Sequence, residues 1–426
     1  MELTVEGLRF GAALLCVFMW CLLMFFCVVG TTLIRMRHCK VSPAAETPSS
    51  GSPPPGVTII RPLKGVDCNM VENLSSSFLQ QYPNFELIFA VADPKDPACD
   101  TVQELIEKFP HVDAKLFTGC EETGVNPKIN NMLRGYNAAK HDIIWILDSN
   151  VYVNPGCMSR SVAALTLPGI GLVHHLPCGV RPLTNGSCIE QMFLNTAHAK
   201  MYVTINKLSV ASCLIGKSNL FRRSDLADLG GLENYGKYLS EDNIIGEAIW
   251  AKGLRHRMTT DLAYQTLGSL SVLDYFHRRA RWIRIRKYTV TAATLTEPFT
   301  ESVVNGLLGA LGFWKLMDIP ILPFLAVHFA TWITSDWLIA TTLDKATRNK
   351  PASFFAGWII RELFALPLWL FAMGGSTVEW RGRLFWLHTD GTVEPATSSF
   401  TQRCYDRFMR SFGSGFARVS SDDRHK

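Results

Sequence analysis

An apolar run near the start of the chain narrows its possible folds more than any other feature. Residues 10–34 are an almost unbroken series of hydrophobic side chains. A bilayer core takes about 20 residues of helix, and lipid offers the backbone no hydrogen-bond partners, so such a run forms a membrane-crossing helix. A cleaved signal peptide would have a shorter apolar core and a small-residue cleavage site. Glu2, Glu6 and Arg9 precede the run, whereas Arg35, Arg37, His38 and Lys40 follow it. Basic flanks stay in the cytosol. Residues 1–40 therefore read as an uncleaved signal anchor that leaves the following domain cytosolic.

The rest divides by composition. Residues 41–56, VSPAAETPSSGSPPPG, are a Pro/Ser-rich spacer. Residues 57–300 have the length of one catalytic domain, 301–380 read as a C-terminal membrane region and 381–426 as a basic cytosolic tail. Apolar density returns at 319–340 and 354–373, with a polar connection at 341–351. Residues 303–317 are shorter and Gly-rich, suited to a third crossing, a re-entrant segment or an interfacial helix. The tail carries Arg381, Arg383, Arg403, Arg407, Arg410 and Arg418. Two C-terminal crossings return it to the cytosol and three do not, so 303–317 reads as non-spanning. A 48% hydrophobic content fits this membrane share, and a net charge of +5 gives no nucleic-acid footprint. The twelve cysteines form no CxxC pair and read as reduced, cytosol-facing thiols. In a cytosolic domain the sequons at Asn73 and Asn185 are chance matches.

Short apolar runs alternate with helical segments in the middle region. Residues 57–61, 85–92, 114–117 and 143–147 read as strands, and 70–80, 101–109 and 129–139 as helices. That alternation predicts an α/β fold whose sheet is largely parallel and covered by helices on both faces. Such sheets bind ligands beyond the carboxyl ends of their strands. Asp93 and Asp148 each stand just past a strand. Each alone reads equally as a turn or capping residue. Lys128, in the run from Asn126 to Asn131, opens a helix whose free N–H groups suit an anion. Glu241 and Asp242 precede another helix, where a carboxylate can serve as a base or simply balance the helix dipole. Arg278, Arg279, Arg281 and Trp282 offer bidentate donors for a diphosphate and a flat face for a sugar or base. Arg284, Arg286 and Lys287 continue that cluster and suit a membrane surface. Gly216-Lys217-Ser218 looks like the end of a phosphate-binding loop, but Ala211 stands where that motif needs glycine.

The order of these residues resembles the D, D, ED, (Q/R)xxRW series of membrane-bound, sugar-nucleotide-dependent glycosyltransferases. A narrower resemblance lies in the opening strand from Val57 to Asp67 and the GxNPKxxN segment from Gly124 to Asn131. It continues at Gly171–His174, Thr196–His198, Ser240–Asp242 and Arg278–Trp282. Over roughly residues 8–390 the chain is similar to the ceramide glucosyltransferases. That resemblance implies a GT-A-type, Rossmann-like fold carrying an N-terminal anchor and C-terminal transmembrane or interfacial helices. It also implies transfer of glucose from UDP-glucose to ceramide with inversion, at the cytosolic face of the Golgi membrane. Carried over by position, Asp93 binds nucleotide and Asp148 the nucleotide and its Mg²⁺ or Mn²⁺, while Lys128, read from its place at a helix start, suits an anion or a nucleotide edge. Asp242 becomes the catalytic base, Arg278, Arg281 and Trp282 hold the donor phosphates, His198 lies near the acceptor and Cys213 near the site. The implied partners are UDP-glucose, ceramide and the bilayer, with no nucleic acid and with a homo-oligomer left open. The spacer 41–56, the tail after Gly391 and residues 181–186 depart from the family pattern. A transferase with another lipid acceptor is the nearest rival, and a nucleotide-binding membrane protein without turnover is a more distant one.

Overall fold

The computed structural model describes residues 5–38, 53–380 and 382–396. Most of the spacer, Arg381 and the tail beyond Ala396 lie outside the described residues. Helix α1 (Val5–Arg37) is followed by β1 (Val57–Leu63), α2 (Met70–Phe78), β2 (Phe85–Val91), α3 (Ala98–Lys108), β3 (Asp113–Thr118), α4 (Pro127–Asn137) and β4 (Ile143–Leu147). Next come β5 (Val151–Tyr152), α5 (Cys157–Leu165), β6 (Ile170–Pro182), α6 (Asn185–Phe193), α7 (Ala199–Leu208), β7 (Ser218–Arg222), α8 (Arg223–Ala227), α9 (Glu241–Ala251) and β8 (Arg255–Gly268). The chain continues through α10 (Val272–Thr289), α11 (Thr291–Thr296), α12 (Ser302–Met317), α13 (Ile321–Leu343) and α14 (Pro351–Met373), then β9 (Thr377–Trp380), β10 (Arg383–Leu387) and β11 (Val393–Pro395).

The main sheet runs β3-β2-β1-β4-β7-β6-β8-β5. Its first four strands are parallel, as the alternation predicts. Side chains alternate faces along them: Ile59, Leu87, Phe89 and Trp145 enter one core, while Ile60, Ile88, Ile144 and Ile146 enter the other. The expectation of a largely parallel sheet fails in the second half. There β7 runs antiparallel to both β4 and β6, and β5 antiparallel to β8, with β6 parallel to β8. β6 and β8 carry buried histidines and an aspartate (His174, His175, His256 and Asp261), so neither reads as an apolar strand in the sequence. Where the strand order turns, between β1 and β4, a crevice opens at the carboxyl ends of these strands.

Helices α1 and α14 are long and apolar enough to cross a membrane. The carboxyl-terminal part of α1 enters the α/β domain, with Ile34 packed among Leu176, Tyr202, Met258, Ile339 and Leu343. The glycines of α12 are packing positions. A Cβ on Gly309 or Gly312 would collide with Trp20 or Val17 of α1, and one on Gly306 with His328 of α13. Asp318, in the left-handed region at φ 52°, turns the chain from α12 into α13. These two helices form a hairpin along α1, so the short segment 303–317 is the outgoing arm of that hairpin.

Helix α14 covers the apolar stretch expected at 354–373, and both of its ends also contact the α/β domain. Near its start Gly357 lies on Cys188 and Met192 of α6. Near its end Lys287 Nζ of α10 donates to the carbonyl of Met373 at 2.9 Å. The following strands return to the α/β domain, where Thr392 bridges Tyr238. Both ends are thus fastened to one domain, and the helix lies along it. Its outer face exposes Phe355, Ile359, Leu363 and Leu370.

Candidate active site

Three neighbouring strand and helix ends supply the charged wall of the crevice. Asp148 ends β4, its backbone N–H bonded to the Lys217 carbonyl at 3.1 Å. Buried Arg61 of β1 donates to the carbonyls of Val151 and Ser149 at 2.9 and 3.3 Å, fixing the loop behind Asp148. Asn126 caps α4 by accepting from the N–H of Lys128 at 2.8 Å, and Pro127 fits the first helical position. This start projects Lys128 into the crevice, 3.0 Å from Asp148 Oδ1 and 3.1 Å from Glu241 Oε1. Lys217 holds the other Asp148 oxygen at 2.8 Å. Glu241 also accepts from Asn126 Nδ2 at 2.9 Å, so it anchors the start of α9.

Charge compensation sets the protonation of this wall. Burial opposes the ionisation of Asp148, but Lys128 and Lys217 outweigh it and hold the carboxyl well below its usual range. Burial likewise disfavours the Lys128 cation, yet Asp148, Glu241 and Asp242 push it above an ordinary lysine. Asp242 receives less help. Burial, then the neighbouring Glu241 charge, raise it to about 7 despite Lys128. Gly216 permits this placement, since a Cβ there would stand 2.9 Å from Asp242 Oδ2.

The opposite wall is helical. Ser271 and Asp274 form a capping box that starts α10. Arg278, Arg281, Trp282, Ile285, Arg286 and Thr289 then recur along one face. Arg278 Nε lies 3.1 Å from buried Glu190, and its guanidinium sits 5.1 Å from the centre of the Trp282 ring. Arg279 pairs with Glu297 at 2.9 Å and lies over Phe193. Between α6 and α7, residues 194–198 form a π-helical turn, an irregularity common at functional sites. It carries His198, whose ring stacks on Tyr202 at 5.2 Å and whose Nδ1 is buried without a hydrogen-bond partner. Burial, followed by Arg279 and Arg286, lowers His198 to about 3, so the imidazole is neutral.

The walls enclose a cavity of about 560 Å³. Lys128, Asp148, His198, Cys213, Asp242, Arg278, Arg281 and Trp282 line it together. Asp93 does not. It is exposed beyond β2, where its Oδ1 accepts from the Lys95 N–H at 2.9 Å in a turn. β2 lies two strands from β4 in the sheet, about 10 Å away. The continuation of the basic cluster is also differently employed. Arg284 donates to the carbonyl of Thr377 at 2.9 Å and Lys287 to those of Met373 and Gly375, while Arg286 pairs with Glu297. Arg284 and Lys287 thereby tie α10 to β9 and to the end of α14.

Glu190, Lys217 and Gly216 act at the site although their local sequence does not announce it. Glu190 reaches Arg278 through a long-range contact, and the other two are visible only as part of an imperfect loop motif. Among the described residues no three His, Cys, Asp or Glu side chains form a metal cluster. Asp148 alone still suits a hard cation, because phosphates can complete the coordination shell and the carboxylate is kept ionised.

An α/β sheet with charged groups at its strand ends, roofed by arginines and joined to helices long and apolar enough to cross a membrane, is an arrangement that suits a glycosyltransferase. Residues 22–393 match the family model described as Glycosyl transferase family 21, and the chain belongs to that family. A ceramide glucosyltransferase of Komagataella phaffii is 37% identical, over 80% of this chain and 84% of its own. Ceramide glucosyltransferase 1 of Caenorhabditis elegans is 30% identical, over 93% of this chain and 84% of its own. Among solved structures, a mannosyltransferase of Pyrobaculum calidifontis, in complex with GDP-Man and Mn²⁺, aligns with 82% of this chain and 99% of that one. Its identity is 16% and its TM-score 0.47.

Proposed function

We propose that this enzyme transfers glucose from UDP-glucose to the primary hydroxyl of ceramide, giving β-glucosylceramide with inversion. The observation that carries this reading is the continuity of one cavity from the charged strand ends to the helices beside the membrane hairpin. It suits a polar donor at one end and an acceptor that stays in lipid at the other. The names of the relatives in the family support the same pair of substrates.

In this reading Asp242 accepts the proton of the ceramide hydroxyl as that oxygen attacks the anomeric carbon. A single base is enough for inversion, and a carboxylate held near neutral pH is a fitting acceptor. Arg278 and Arg281 contact the departing diphosphate, with Trp282 beside the sugar. Lys128 meets the nucleotide edge, and Asp93 meets the nucleoside. Asp148 is the residue that would hold Mg²⁺ or Mn²⁺, whose chemistry there is to offset charge developing on the diphosphate. Neutral His198 donates or accepts a hydrogen bond at the acceptor end. We place the catalytic domain on the cytosolic face of the Golgi membrane, anchored by α1 and the α12–α13 hairpin, with α14 lying in the interface.

The test is transfer by detergent-solubilised protein from labelled UDP-glucose, UDP-galactose or GDP-mannose to ceramide, with and without EDTA and added Mg²⁺ or Mn²⁺. Glucosylceramide from UDP-glucose alone, lost with EDTA, is expected. Transfer from another donor would reassign the sugar. A folded protein that binds UDP but transfers nothing would refute the enzymatic assignment.

A further inference from the structure

We propose that Lys217 is a donor-phosphate ligand that serves as the counter-ion of Asp148 until metal and diphosphate arrive, and then exchanges between the two. This inference rests on the nucleotide-sugar reading of the site. The antiparallel register pairs Leu147 with Ser218, so Lys217 stands opposite Asp148. Its Nζ lies 2.8 Å from Asp148 Oδ2 and 3.4 Å from Asn150 Oδ1. An ammonium has three donors, and Lys217 lines the cavity, so the third donor is available to a ligand there.

The two lysines on Asp148 are not equivalent. Lys128 is shared between Asp148 and Glu241, which Asn126 in turn holds. Among the described residues the only carboxylate paired with Lys217 is that of Asp148. A divalent cation held by Asp148 would repel the Lys217 ammonium there, and a diphosphate accompanying it would supply the opposite charge for Lys217. The exchange leaves neither Asp148 nor the phosphates without a cation, which a buried carboxylate requires. It also gives all three residues of the loop-like motif a use. Gly216 makes room for Asp242, Lys217 faces Asp148, and Ser218 Oγ accepts from Trp145 Nε1 at 2.9 Å.

The experiment compares full-length wild-type protein with Lys217→Met and Lys217→Arg in detergent. UDP affinity is measured by calorimetry, and Mn²⁺ affinity without nucleotide by electron paramagnetic resonance. Loss of a charge-assisted phosphate contact predicts UDP binding weakened on the order of tenfold in Lys217→Met. Mn²⁺ alone should bind that variant more tightly, because a competing cation is gone. Lys217→Arg should restore most of the UDP affinity. Equal UDP affinity in wild type and Lys217→Met would overturn this inference alone. Parallel loss of UDP and Mn²⁺ affinity in Lys217→Met would reduce Lys217 to a structural clamp. Wild-type protein that binds no UDP would overturn the donor reading and this inference with it.

Discussion

The two ends of the cavity handle buried charge in different ways. At the strand ends, Lys128 bridges Asp148 and Glu241, Lys217 pairs with Asp148, and Asp242, with no ion pair among the described residues, is raised by burial and Glu241 to about 7. At the membrane end the ion pairs are closed among themselves. Arg361 of α14 contacts Glu301, Glu362 and Asp336, while Lys200 of α7 binds Asp336 at 2.8 Å. Glu362 additionally caps α12 through the N–H of Ser302 at 2.9 Å, and Trp358 donates to Asp336. An incompletely balanced group can take up a proton or a ligand. The Arg361 network joins several helices and so fixes them, although burial raises Glu362 within it to about 7 as well. The two ends thus differ in what they hold together and not in charge balance alone. Chemistry is therefore expected at one end and positioning at the other.

The largest effect should come from the unbalanced end. Asp242→Asn is expected to lower kcat about 10³-fold while the protein remains folded and binds UDP, as turnover and calorimetry together will report. The pH profile carries the same information. The base works only when deprotonated, and its folded pKa is raised to about 7, so wild-type turnover should fall as pH drops through 7. An unchanged rate down to pH 5 would exclude Asp242 as the base.

Arg361→Met tests the closed end. It leaves Glu301, Glu362 and Asp336 buried without their shared cation, a loss of about 3–5 kcal/mol. Thermal denaturation in detergent should show a markedly lower Tm. A variant as stable as wild type but slower would move this network from support to catalysis. Gly216→Ala intrudes on Asp242 without removing any charge, so kcat should drop about 10²-fold with little change in Tm. If activity survives, Asp242 has freedom that the close approach denies it. His198→Phe keeps the stack on Tyr202 but removes the imidazole nitrogens. We expect ceramide KM to rise by about 1 kcal/mol, some fivefold, with the KM for UDP-glucose unchanged. An altered donor KM would place His198 on the other side of the cavity.

Much of the parallel half was legible in the sequence. β1 to β4 and the helices between them carry strong apolar runs, and strand ends with Asp93 and Asp148 follow from them. The helical spacing of Arg278, Arg281 and Trp282 was also available. Asp93 shows the limit, since the sequence offered both a turn and a nucleotide contact there, and its place outside the cavity lining was not readable. β6 and β8 escaped notice because they bury histidines and an aspartate that find partners in distant elements, such as Tyr202 for His174 at 2.6 Å and Arg160 for Asp261 at 2.6 Å. Composition likewise showed α14 as an apolar segment, but not that Lys287 of α10 donates to the carbonyl of Met373 at its end.

The sequence by itself determined the elements whose stability is local or periodic: the anchor, the βαβ half, the caps at Asn126 and Ser271, and the residue types available for catalysis. The tertiary structure decided which charges meet. Lys217 reaches Asp148 only through an antiparallel pairing, and Glu241 becomes an anchor only through Lys128 and Asn126 from another helix. The physical reason is range. Helix and strand signals are written within a few residues, whereas the balance of a buried charge depends on partners that folding alone brings within 3 Å or so.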